Sequence, residues 1–198
     1  MMFSRTGQIG VAVGFLIAAA SIVAVPAVAA ESPAIVAIKA EYKACRAARA
    51  GAATVAYAIY PGDDYTKDPR WVRKKPAKAT AMETLTAFRR QGRIRIADLE
   101  RATPSGDWIQ SFEYCYRADG TLAFALVVLR THQGNVRVVD RFYFARDGRQ
   151  LLRRRAIYDL KTKKRISEKK ARGFNDVKPV LPKTTKALIK YASPALGR

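Results

Sequence analysis

The chain of 198 residues carries 37 Lys and Arg against 16 Asp and Glu, a formal charge of +21, with one His and two Cys. That length suits one domain or one domain with appendages, and 49% hydrophobic with 10% aromatic residues is enough for a buried core, so the charge does not mark disorder. One histidine and two cysteines argue against multi-ligand zinc sites, haem attachment and histidine-based catalysis.

The N-terminus holds Arg5, an uncharged run from Ile9 to Val25, then Pro26 and the small triplet Ala27, Val28, Ala29. This is the order of a secretory signal, with cleavage expected after Ala29 or Ala30 and a mature protein that is periplasmic or secreted. An uncleaved N-terminal membrane anchor is the alternative, because the run approaches the roughly 20 residues that span a bilayer. Cys45 lies well past the run, behind Tyr42, Lys43 and Ala44, which is not the context for lipid attachment. The sequence divides into a signal peptide (1–30), an N-terminal helix and basic loop (31–80), an antiparallel meander (81–165) and a basic C-terminal segment (166–198), with 31–198 as one folded domain.

From Pro33 to about Tyr60 the sequence is Ala-rich, and Ile35, Ile38, Tyr42 and Cys45 fall at helical steps, with Ser32 as N-cap and Pro33 in the first turn. Gly51 ends or weakens that helix. Pro61, Pro69 and Pro76 then mark an irregular connection with six basic residues, Lys67 to Lys78, pinned by Tyr65 and Trp71. Its Asp63, Asp64 and Asp68 lack calcium-loop spacing and lie beside Lys67 and Arg70, which predicts a solvated acidic loop.

Between Gln91 and Arg149 the glycines sit on one grid: Gly92, Gly106, Gly120, Gly134 and Gly148, each 14 residues after the last. Runs rich in β-branched and aromatic residues separate them, so strands are predicted near 81–90, 93–102, 107–117, 121–131, 136–145 and 149–160. The fold class is α+β: a long antiparallel β-meander of about six strands covered by an N-terminal helix and a C-terminal segment. Turns that keep parity from strand to strand would gather Phe112, Tyr114, Tyr116, Phe124 and Phe142 on one apolar face. Arg117, Arg137, Arg141, Arg153 and Arg155 would then share the other. The same register sets Asp140 opposite Arg154 as a structural ion pair, which makes Arg154 matter more to stability than Arg153.

Glu113-Tyr114-Cys115-Tyr116, then Asp119-Gly120-x-Leu122-x-Phe124, Arg141-Phe142-Tyr143-Phe144 and Leu151-Leu152-Arg153, resembles a pattern in uncharacterised exported bacterial β-meander proteins of unknown function. The resemblance covers about 50 residues. It implies the sheet and the export, and no activity.

Cys45 and Cys115 are two thiols in a chain with an export signal, which predicts a disulfide. It requires the helix of Cys45 to cross the Cys115 face, over Ala123 and Ala125, or a bulge near position 115. No nucleophile motif, metal-binding motif, phosphate loop or dinucleotide fingerprint occurs, so no catalytic residue, cofactor or metal is expected. His132 reads as a solvated turn residue.

The remaining signal is charge. Residues 149–172 hold eleven basic residues against Asp159 and Glu168, a local charge of +9. Arg137, Arg141, Arg153, Arg155, Lys163, Lys164, Lys169 and Lys170 are the candidate anion-binding residues. The export signal and the burial expected for the aromatics argue against nucleic acid and toward anionic envelope components: phospholipid, lipopolysaccharide or cell-wall polymer. The expected role is a non-catalytic envelope binding or structural module with a basic surface; a basic surface that only solubilises is the bland counterpart. A carrier of lipid or of a lipoprotein segment, using a cavity in a curved sheet, is the alternative, decided by whether the face around Phe112, Phe124 and Phe142 is packed or open. A carboxylate-based hydrolase is the third reading, but its candidates Glu113 and Asp140 fall on opposite faces.

Overall fold

The computed structural model describes residues 31–197 apart from 62, 63, 65, 66, 76, 78–80, 175 and 176. The signal-peptide and anchor readings, and the expectations for Asp63, Tyr65 and Lys78, lie outside the described residues. No helix among them is long and apolar enough to cross a membrane.

Helix α1 (Pro33–Arg46) starts where the sequence places it: the Ser32 hydroxyl accepts from the Ile35 N–H, and Pro33 occupies the first turn. Its regular part stops five residues before Gly51, where the sequence expects the helix to end or weaken. A 3-10 turn (Ala47–Ala50) follows, the chain reverses at Gly51, and Ala53–Ile59 is a strand, β1. A Cβ at Gly51 would lie 2.4 Å from the Arg89 carbonyl oxygen, so close backbone approach demands glycine there. Strand β2 (Arg70–Val72) lies outside β1, and neither is expected from the sequence, because alanine-rich β1 carries no period-2 signal and β2 is only three residues long.

The six predicted strands are present as β3 (Ala81–Arg90), β4 (Arg93–Ala102), β5 (Trp108–Tyr116), β6 (Leu122–Thr131), β7 (Val136–Phe144) and β8 (Gln150–Asp159). They form one antiparallel sheet of eight strands in the order β2-β1-β3-β4-β5-β6-β7-β8. After β8 the chain runs back beneath the sheet to α2 (Thr185–Tyr191).

The register differs from the parity-preserving expectation at the β4–β5 and β6–β7 turns themselves, where Ala102 stands opposite Ile109 and Thr131 opposite Val136, and just inside two other hairpins. At the Asp119-Gly120 and Asp147-Gly148 turns parity is kept, with Tyr116 opposite Leu122 and Phe144 opposite Gln150. Glycines with φ +84° and +83° close these turns. A bulge one residue into each hairpin, at Cys115/Tyr116 and Tyr143/Phe144, then inserts a residue and inverts the faces. Phe112 therefore sits opposite Val127, and Asp140 opposite Arg155.

The first face buries Leu85, Leu99, Phe112, Tyr114, Val127 and Phe142 against the returning C-terminal segment, which contributes Leu188, Ala192, Ala195 and Leu196. Polar groups along β5 fasten that segment. Gln110 Nε2 donates to the Val177 carbonyl at 3.2 Å, the Tyr114 hydroxyl to Val180 at 2.8 Å and the Tyr116 hydroxyl to Pro182 at 3.2 Å. Buried hydroxyls need such partners, so these aromatics fix the path of the tail as well as filling the core. Farther along, the buried Glu83 carboxylate accepts from Tyr60 at 3.3 Å, Arg101 at 3.0 Å and the Tyr191 hydroxyl of α2.

The second face is covered only in part. Ile35, Ile38 and Cys45 pack there on Ile96, Cys115, Ala123, Phe124 and Tyr143. Cys45 and Cys115 are joined, with S–S 2.07 Å and Cα–Cα 5.7 Å across 70 positions. The helix does cross the Cys115 face over Ala123, and a bulge does adjoin Cys115. Ala125, however, packs on the opposite face, in the first core.

Candidate functional site

The uncovered half of the second face is charge-polarised along one row. Reading across the strands, Thr86, Asp98, Glu113, Leu126, Arg141 and Arg154 stand directly opposite one another in turn. On the acidic side, Arg49 from the 3-10 turn reaches between two adjacent carboxylates. Its Nη2 donates to Asp98 Oδ1 at 2.7 Å and to Glu113 Oε2 at 2.5 Å, and its Nη1 also donates to Asp98. The hydrogen bond to Asp98 holds the guanidinium well above its ordinary pKa, while burial, then Glu113, pushes the Tyr42 hydroxyl up. These groups border an open trough of about 510 Å³ with Thr84, Thr86, Ser111 and Val128 on its floor. Sequence reading passed over Arg49 and Asp98; only the pairing of Asp98 with Glu113 brings them together, and that pairing depends on the register.

On the basic side, Arg141 and Arg154 face each other, and farther along the strands Arg130 faces Arg137. Like charges directly opposite disfavour the sheet. Arg154 is relieved by Glu31 at 2.7 Å and Arg137 lies over the Tyr158 ring at 5.9 Å.

The eight candidate anion-binding residues do not form one patch. Arg137 and Arg141 are on the second face. Arg153 and Arg155 are on the first, where the predicted ion pair is corrected: Asp140, 7% exposed, accepts two bonds from Arg153, both 2.9 Å, and Arg155 stands 4.0 Å away. Arg154 is not its partner, because the bulge at Tyr143/Phe144 turns Arg154 to the other face. Arg153 and Arg155 are thus engaged in structure; Arg155 also approaches Glu168 at 3.6 Å.

Lys163, Lys164, Lys169 and Lys170 lie beyond β8 in the segment that turns back along its edge, where Arg165 bridges Tyr158. All four are exposed, as are Lys161, Arg165 and Arg172, and none of the seven has an ion-pair partner among the described residues. The segment is anchored by Asp159, whose Oδ1 accepts from the N–H groups of Lys161 at 3.0 Å and Thr162 at 2.7 Å. The Thr162 hydrogen bonds hold the Asp159 carboxyl below its ordinary value.

Phe112 and Phe142 are each 3% exposed beneath the C-terminal segment, and Phe124 is 4% exposed beneath α1. The aromatic face considered as a carrier cavity is therefore packed by the chain itself. Glu113 and Asp140 occupy opposite faces. His132 is exposed in the β6–β7 turn. Among the described residues no three His, Cys, Asp or Glu side chains converge as a metal site. No family model, curated protein or solved structure matches the chain.

Proposed function

We propose that the protein is an exported, non-catalytic module that binds anionic components of the cell envelope through its basic surface. The observation that carries this reading is the run from Lys161 to Arg172, where seven exposed cations lack ion-pair partners among the described residues while an Asp159-anchored turn and the core residue Ala171 hold their backbone in place. Unneutralised cations on a fixed scaffold attract a negatively charged surface within a Debye length, at about 1 kcal/mol per Lys or Arg. The signal-like N-terminal sequence and the Cys45–Cys115 bond both suit an oxidising compartment. The packing of the aromatic face favours surface binding over a carrier cavity there.

The test is co-sedimentation with phosphatidylglycerol vesicles across a salt series. Binding at low ionic strength that weakens steadily with salt is expected, and reversing Lys163, Lys164, Lys169 and Lys170 to Glu should weaken it by at least about a thousandfold. No association at low salt would leave the positive surface as a solubilising feature only.

A further inference from the structure

A second cationic feature is concave and built around a buried charge. Arg117, at the end of β5, is 9% exposed and has no carboxylate at ion-pair distance among the described residues. Its Nη1 donates to the Leu122 carbonyl at 2.9 Å and more distantly to the Thr121 hydroxyl at 3.4 Å; its Nη2 donates to the Phe144 carbonyl at 2.6 Å. That leaves the Nε–H and one Nη2–H of its five donors without a partner among the described residues. A charge removed from water without a counter-ion is costly, and burial accordingly draws the Arg117 pKa below its ordinary value.

Arg117 opens on a cavity of about 410 Å³ between α1 and the β7–β8 turn, with Arg146 and Arg149 also on its wall. The carboxylates nearby are already engaged: Glu41 with Arg95 at 2.5 Å, Asp119 with Arg146 at 2.8 Å and Asp147 with Arg149 at 3.8 Å. Glu41 itself lines the cavity, its carboxylate held by Arg95, and the rest of the wall is apolar, with Ala37 and Ile38 of α1 on one side and Leu151 of β8 on the other. Arg146 and Arg149 are shared with Asp119 and Asp147 only in exposed pairs, which contribute little, so all three guanidiniums can meet the oxygens of a phosphate dianion, which they suit better than a single carboxylate, and the volume lies within the range of small-ligand sites.

We infer that this cavity binds the head of a phosphate-monoester lipid, with the phosphate on the free edge of Arg117, Arg146 and Arg149 closing the mouth, and the first carbons of the acyl body against Ala37, Ile38 and Leu151. The inference rests on the envelope reading for the source of its ligand, but not on the lysine surface. Titration calorimetry with dihexanoyl phosphatidic acid below its micelle concentration tests it, beside inorganic phosphate and dihexanoyl phosphatidylcholine. Saturable binding of phosphatidic acid is expected, about tenfold or more tighter than inorganic phosphate, with none for phosphatidylcholine. Because Arg117 also ties backbone carbonyls together, its replacement tests folding as well as binding. Ala37→Phe, which fills the cavity from an exposed helical position, and Arg149→Gln therefore decide: each should weaken phosphatidic acid about tenfold at an unchanged melting temperature. Equal affinity for phosphatidic acid and phosphate, wild-type affinity in Ala37→Phe, or no binding at all would overturn the inference. Ala37→Phe should still associate with vesicles through the lysines, whereas a wild-type protein that binds phosphatidic acid but not vesicles counts against the proposed function alone.

Discussion

Asp140 illustrates how one inserted residue reassigns a charge. Its carboxylate is buried and depends on Arg153, so Arg153→Ala should destabilise the protein by about 1–3 kcal/mol. This is less than for a fully buried pair, because Arg153 is 39% exposed and Arg155 stays close. Arg154→Ala, whose partner Glu31 is at the surface, should cost much less, and urea denaturation of the two variants measures the difference. Equal midpoints would contradict the observed register. Asp119 makes a prediction about pH. Thr121, through its hydroxyl at 2.6 Å and its N–H at 2.9 Å, holds this carboxyl below its ordinary value. A carboxylate with a depressed folded pKa stabilises above its unfolded value of about 4 and loses that contribution as pH falls through the lower folded value. Asp119→Ala should therefore melt below wild type at pH 7, with the gap closing below about pH 4. A gap constant from pH 7 to pH 2 would show that the charge is not what stabilises the turn. The acid-anchored turns were legible in the sequence as Asp-Gly pairs. The partner of Asp140 was not, because a bulge leaves no residue-type signature.

At the level of elements, the long strands were legible because glycines and β-branched runs repeat every 14 residues, and all six fall within two residues of their observed ends. Helix α1 was legible at its start, where Ser32 and Pro33 have a stereochemical role, and at Gly51, where the helical run stops; the strand β1 that follows was not, because its apolar residues do not alternate with polar ones. The Cys45–Cys115 bond ties α1 to the middle of the sheet and closes a loop of 70 positions. On the chain-entropy model such a loop contributes roughly 4 kcal/mol, so the reduced protein should unfold at markedly lower urea concentration than the oxidised protein. Coincident transitions would mean that α1 adds nothing through its tether. The C-terminal segment is equally structural: Leu188 of α2 is fully buried in the first core, and Leu188→Ala should cost about 2–5 kcal/mol in the same assay.

At the scale of the whole molecule, the sheet separates two kinds of arginine, of which Arg137, Arg141, Arg153 and Arg155 would share one face in the parity-preserving register. Arg101, Arg153 and Arg155 serve carboxylates at or beside the first core, whereas Arg130, Arg137 and Arg141 stand on the open half of the second face. The cations after β8 are exposed and belong to neither group. That division could not be read from composition, since inverting the faces by one residue exchanges Arg153 with Arg154 while leaving every count unchanged. It also sharpens what the net charge of +21 can do: part of it is neutralised by internal pairs, and the densest run of exposed cations without such pairs among the described residues lies where the chain leaves β8. Lysine acetylation footprinting, with and without phosphatidylglycerol vesicles at low salt and read by mass spectrometry, tests the proposed binding surface most directly. Strong protection of Lys163, Lys164, Lys169 and Lys170 by the vesicles is expected, with Lys43 on the exposed side of α1 labelled as before. Unchanged labelling of the four lysines, or protection centred on Lys43, would contradict the proposed surface.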